Sequence, residues 1–282
     1  MNQLLTQMLA KADPSQVEGL ARFFKTGPGQ YGEGDKFLGI KVPVTRAVVR
    51  ECWRSVDWAD LEECISSPYH EVRLAALLTL VEIFKHAGMR FPIKSGMTEG
   101  APLRSSLAKS GMTVRPKSGE AASVIAGLTG NLRPQCIEFY LNHTAYINNW
   151  DLVDLSCYPL LGEWLLDKDR TLLYDMARSG STIWEQRIGI VSTMTFIRHG
   201  QLQDTFDIAD ILLHHPHDLI HKAVGWLLRE AGKRDKPALE AWLNGTTDQA
   251  STTPRYKSMP RTMLRYAIEK FPEPERQRYL AK

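Results

Sequence analysis

An all-α protein is the fold class this sequence predicts, on three observations. Apolar residues recur at helical spacing along almost every ordered stretch and almost nowhere alternate as in a strand, the run Glu71 to Phe84 being typical. Pro14, Pro43, Pro216 and Pro260 fall near the beginnings of such stretches, where a missing backbone N–H costs little. Gly88, Gly180, Gly200 and Gly245 mark ends or turns.

Taken in order, the pattern predicts helices over 2–11, 15–25 behind Pro14, 43–54 opened by Pro43, 57–66, and 69–86 closed by Gly88. After a gap it predicts 133–144, 149–166, 169–178 ending before Gly180, and 182–198 ending before Gly200. The last five are 202–213, 217–231 behind Pro216, 236–243 before Gly245, 259–270 opened by Pro260, and 273–281. From residue 133 onward they fall into pairs with short connections, the pattern of a HEAT-like helical-hairpin solenoid with one concave face. The second helices, 149–166, 182–198 and 217–231, are expected to line that face. Residues 94–130, rich in Gly, Ser, Thr and Pro with spaced basic residues, break the periodicity and are expected to be a flexible surface insertion. The whole chain, 1–282, is read as a single repeat domain.

The 282 residues suffice for a substantial core, and 35 Lys+Arg against 32 Asp+Glu leave a net charge of only +3, too mild to identify a nucleic-acid binder. The distribution says more, because basic residues crowd together beyond residue 220. Cys52, Cys64, Cys136 and Cys157 form no C-x-x-C pair, which argues against a thiolate zinc site or a disulfide scaffold and for buried free thiols. No basic-then-apolar leader opens the chain and no apolar run approaches a membrane span, so a cytoplasmic protein without membrane contact is expected.

The residues that carry chemistry centre on Asn148-Asn149-Trp150-Asp151 and the second acid at Asp154. In a helix, Trp150 and Asp154 at i and i+4 share a face, so an anionic oxygen sits beside a flat apolar surface, which suits a developing cationic carbon. Asp151 is read as a first-turn acid favoured by the helix dipole, with Asn148 or Asn149 as cap. Lys222, Trp226, Arg229 and Lys233 recur at spacings of four, three and four, one stripe of phosphate contacts around an aromatic platform. Arg46, Arg261 and Arg265 are further candidates for the same duty, and solvated helix faces are the competing explanation for each cation. His214, His215, His217 and His221 lack the partners of a zinc motif, so no metal is expected. Gly27 to Gly34 lacks the preceding strand and Gly-Lys-Ser/Thr ending of a phosphate loop. Trp53, Trp58, Trp164, Trp184 and Trp242 are read as packing residues.

The segments Ala21 to Ile40, Asn148 to Asp154, Trp184 to Ile190, His221 to Glu230 and Met259 to Tyr266, in that order, resemble the AlkD-type DNA alkylation repair family. The resemblance implies a HEAT-like DNA glycosylase removing cationic alkylpurines such as N3-methyladenine and N7-methylguanine from double-stranded DNA, without base flipping, cofactor or metal. It carries the family's catalytic carboxylate to Asp154, its two active-site tryptophans to Trp150 and Trp226, and the arginine at the lesion-bearing backbone to Arg187. An aromatic position that is tyrosine in the best-known relatives falls at Phe23, and the 94–130 insertion has no counterpart. A monomer, cytoplasmic and nucleoid-associated when bound to DNA, is expected. Two other functions compete: a DNA-structure binder without excision on the same scaffold, and a HEAT-type scaffold whose groove receives a partner protein.

Overall fold

A computed structural model describes residues 2–87, 132–245 and 253–281; the proposed insertion at 94–130 lies outside the described residues. Among these residues the regular structure is helical, apart from one isolated parallel bridge, Lys36 with Tyr69. The helices are α1 Gln3–Ala10, α2 Pro14–Phe23, α3 Val42–Cys52, α4 Trp58–Ile65, α5 His70–His86, α6 Arg133–Asn142, α7 Trp150–Asp154 and α8 Thr171–Ser179. They continue as α9 Ile183–Val191, α10 Met194–Arg198, α11 Gln203–Ile211, α12 Asp218–Arg234, α13 Lys236–Asn244, α14 Arg255–Ser258, α15 Arg261–Ala267 and α16 Glu273–Leu280.

The starts follow local chemistry. Asn2, Asp13, Asp57, Asn149, Thr182 and Asp235 each cap a helix by accepting a backbone N–H, and Pro14 and Pro43 sit in first turns. α5 is buried almost all round, from Val72 to Phe84. Its Glu71 carboxylate, itself buried, accepts the N–H groups of Leu38, Gly39 and Ile40 and so ties the α2–α3 loop to the core. α5 packs on α7, α7 on α9 and α9 on α12, so consecutive repeats stack their second helices side by side. The fold is thus an all-α, HEAT-like stack of helical hairpins. All four cysteines are free and buried, as their spacing implies. Among the described residues no helix is long and apolar enough to cross a membrane.

Two long helices expected from periodicity are broken. The stretch 149–166 is helical only to Asp154, then makes a π-helical turn at Tyr158–Gly162. Pro159 supplies the cause: it has no N–H and its ring crowds the carbonyl four residues back, at Leu155. The stretch 182–198 divides at Ser192-Thr193, where the Thr193 hydroxyl bonds back to Ile190 O at 2.8 Å, a competition that bends helices. The two breaks meet, with the Thr195 hydroxyl donating to Tyr158 O at 2.8 Å.

Candidate active site

The short helix α7 is held at its start by a buried set of charges. Asn149 accepts the Trp150 N–H at 2.9 Å. Asp151, 3% exposed, takes the Leu152 N–H through Oδ1 and faces His70 Nε2 through Oδ2, both at 2.9 Å. The other ring nitrogen of His70 lies 3.1 Å from Asp35 Oδ2, and Arg73 Nη2 donates to Asp35 Oδ1 at 2.6 Å and to Asn148 Oδ1 at 3.0 Å. Burial alone would lower the His70 pKa, but the two carboxylates outweigh it and push the imidazole up to about 9, so both of its nitrogens donate. Burial likewise opposes Asp35, yet His70 and Arg73 hold its carboxyl below the usual range. Two anions and two cations thereby close on one another where α5, α7 and the α2–α3 loop meet. Asp151, expected as a helix-dipole acid, is a member of this network.

On the next turn Asp154 presents a carboxylate, its side chain 14% exposed, and Arg187 of α9 meets it with two bonds, Nε to Oδ1 at 2.8 Å and Nη2 to Oδ2 at 2.7 Å. The remaining terminal nitrogen of Arg187 donates to Leu219 O on α12 at 2.6 Å. Burial pushes the Asp154 carboxyl above the usual carboxylate range; Arg187 opposes the shift and Asp151 adds to it. Beside it the half-buried Trp150 stacks on Phe24, with ring centroids 5.6 Å apart, and meets Phe23 edge-on at 5.9 Å. Phe23 is 59% exposed, so the edge of this aromatic group opens to solvent.

Of the residues expected from sequence, Asp154 and Arg187 meet directly, and Trp150 stands one turn before Asp154 on α7. Trp226, half-buried, lies two turns along α12 from the carbonyl that Arg187 grips, a rise of about 10 Å. Arg187 was expected to hold a phosphate; its side chain is instead buried and committed to Asp154 and α12. The cationic stripe is also less free than its spacing suggests. Lys222 pairs with Asp218 at 2.7 Å, Arg229 with Glu230 and Glu269, and Lys233 with Glu230 at 2.8 Å. Arg261 donates to Leu280 O, whereas Arg46 and Arg265 have no ion pair or hydrogen bond among the described residues. The histidines cap and brace α12: His217 Nδ1 accepts the Leu219 N–H, and His215 bonds Gln186.

Sequence reasoning missed His70, Asp35, Arg73 and Tyr31. His70 and Arg73 sit within an apolar helical run that read as core, and nothing local links them to Asp35 or Asp151. Tyr31 and Asp35 lie in the segment Ala21 to Ile40 that carries the family resemblance, which assigns a role to neither. Tyr31 lies edge-on to Trp184 with centroids 5.9 Å apart, and its hydroxyl faces the Trp150 indole N–H. Trp184 is itself buried, as a packing residue should be.

A scan against protein-family models matches the DNA alkylation repair enzyme model over residues 4–99 and 120–271. A search of curated proteins finds no match. Among solved structures, a predicted DNA alkylation repair enzyme from Enterococcus faecalis superposes with a TM-score of 0.58 at 12% identity, covering 93% of this chain and 98% of that one. At that identity the likeness speaks for the fold.

Proposed function

This chain belongs to the DNA alkylation repair enzyme family, and on that premise we propose that it is a monofunctional DNA glycosylase, hydrolysing the N-glycosidic bond of cationic alkylpurines such as N3-methyladenine and N7-methylguanine in double-stranded DNA. One observation carries the reading. Asp154 is fixed by two charge-assisted bonds, keeps an edge open to solvent, and sits one turn from the half-open ring of Trp150.

A purine bearing a formal positive charge leaves without prior protonation. As the C1′–N bond breaks, its electron pair neutralises the base and the sugar takes on oxocarbenium character. Asp154 opposes that charge in a partly dehydrated site, an effect on the order of a few kcal/mol for a preorganised group. The same carboxylate orients the water that adds to C1′, whose proton passes to Asp154 or solvent. Trp150 and Trp226 pack against sugar and backbone, and their ring faces favour the growing cation. Arg187 acts as a positioning residue, holding Asp154 in register with α12. Lys222 stays charged through Asp218 and is a poor amine nucleophile, which supports simple hydrolysis over Schiff-base strand cleavage. Arg46, Lys222, Arg229, Lys233, Arg261 and Arg265 supply backbone contacts from one 1–282 domain acting as a cytoplasmic monomer. The lesion is attacked from its backbone face and stays near the stack, so no deep base pocket is required.

The test is release of N7-methylguanine from methylated duplex by the wild type and by Asp154→Asn. Release by the wild type should fall at least a hundredfold in the variant. Equal release would remove Asp154 from the mechanism, and no release by the wild type would leave a DNA binder. Excision of the neutral N1,N6-ethenoadenine at the rate of N7-methylguanine would contradict the reliance on a cationic leaving group.

A further inference from the structure

We propose that Tyr31 is a substrate-positioning residue that, with Lys222, receives a phosphodiester of the lesion-bearing strand. The inference rests on the glycosylase reading only in taking DNA as the substrate. Tyr31 belongs to the glycine-rich stretch between α2 and α3, which the chemistry at Asp154 does not use.

Two clamps hold that stretch over the site. Asp35 is bound by Arg73 at 2.6 Å and by Asn148 at 3.1 Å. Gly32, next to Tyr31, runs so close to its neighbours that a Cβ there would stand 2.4 Å from Phe24 O and 3.3 Å from the Asn149 side chain, the cap of Trp150. The loop is therefore seated against both Asn148 and Asn149, the two residues that lead into α7. The Tyr31 ring leans on Trp184 of α9, and its hydroxyl faces the Trp150 indole within electrostatic reach of Lys222, Arg187 and Asp151. Lys222 stands about one turn along α12 from Leu219, whose carbonyl Arg187 of α9 grips. An indole N–H can only donate, so toward Trp150 the hydroxyl can act only as acceptor, which leaves its own proton to give.

What that proton meets follows from the cations around it. Arg187 is committed to Asp154 and Leu219. Lys222 is 41% exposed, and its partner Asp218 is 56% exposed on the same helix, so exchanging that ion pair for a phosphate costs little. Tyr266 of α15 also bears on Lys222 and packs against Gly225. A neutral O–H donor beside a reachable ammonium suits a singly charged phosphodiester oxygen. The contact would link the α2–α3 loop to α12 across the face on which Trp150 and Asp154 lie. It also returns a hydroxyl to a site where Phe23 has none.

The experiment is a coupling cycle on the full chain. Wild type and Tyr31→Phe are titrated with duplexes carrying a tetrahydrofuran abasic analogue, with either normal linkages or one neutral methylphosphonate at each position flanking the analogue in turn. The expected result is a roughly tenfold loss of affinity for Tyr31→Phe on normal DNA, a larger loss for wild type at one methylphosphonate position, where the Lys222 contact is weakened as well, and at that position alone a combined loss well short of the product of the two. Independent, multiplying losses at every position, or unchanged affinity of Tyr31→Phe, would overturn the proposal, as would a wild type that does not bind duplex. Binding needs no excision, so a coupled pair in a protein that releases no base would sink the glycosylase reading and leave this one standing.

Discussion

The Arg187 guanidinium meets the Asp154 carboxylate edge to edge, at 2.8 and 2.7 Å, and spends a third bond on the backbone of α12. Asp154 is therefore oriented from the opposite wall of the site rather than by its own helix, which ends at that residue. Its carboxyl is raised by burial and partly lowered again by Arg187. If catalysis needs the anion, activity falls as pH drops through the Asp154 pKa. Arg187→Met removes the lowering influence, so the acid limb of the single-turnover profile should move to higher pH. An acid limb that stays in place would mean that another group sets it. Losing one partner of a buried pair should also cost about 3–5 kcal/mol in urea unfolding.

His70 gives the fold itself a pH signature. Its pKa rises from 6.5 to about 9 on folding. A group so raised stabilises fully below its unfolded pKa, and that contribution is lost as pH climbs through the folded value. Unfolding free energy should therefore fall between roughly pH 6.5 and 9, by an amount on the order of 3 kcal/mol. His70→Gln should abolish this slope while lowering stability at pH 6. A wild type equally stable at both ends of that window, measured by urea titration, would refute a charged His70.

The stripe of cations on α12 leads to a ranking of DNA contacts. Arg229 is held by Glu230 and Glu269, so binding a phosphate must first release it, whereas Arg46 and Arg265 have no such partner among the described residues. Arg46→Ala and Arg265→Ala should each weaken duplex binding and reduce the salt dependence of affinity by about one counterion. Arg229→Ala should change the slope by less. Equal slopes for all three variants in filter binding across a salt series would show that the pairs on α12 impose no cost.

Helix existence was legible because burial writes a 3.6-residue period into the chain, and Trp150 with Asp154 could be placed on one face from spacing alone. The breaks after Asp154 and Val191 were not, though Pro159 was a visible cue for the first. The Asp35–His70–Asp151 cluster was illegible for a different reason. Its members stand 35 and 81 residues apart, and only the packing of α5 on α7 joins them. Arg187 shows the same limit, since an arginine that holds a phosphate and one bound to Asp154 have identical local sequence.

Two glycines test whether the position of Trp226 depends on close packing. At Gly225 a Cβ would lie 2.5 Å from both Met263 O and the Tyr266 Cβ, so α12 and α15 touch there through backbone. Neither atom is the tip of a flexible side chain, and relief requires the helices to part. Gly225→Ala should cost about 1–3 kcal/mol of stability and, because Trp226 is the next residue, reduce base release by more than it reduces duplex affinity. Gly19 in α2 is the control: a Cβ there meets nothing within 4 Å, and Gly19→Ala should stabilise by about 0.5–1 kcal/mol through helix propensity. Matching changes for the two variants in thermal unfolding would mean that the α12–α15 contact yields without strain, and that Trp226 owes its place to something other than this junction.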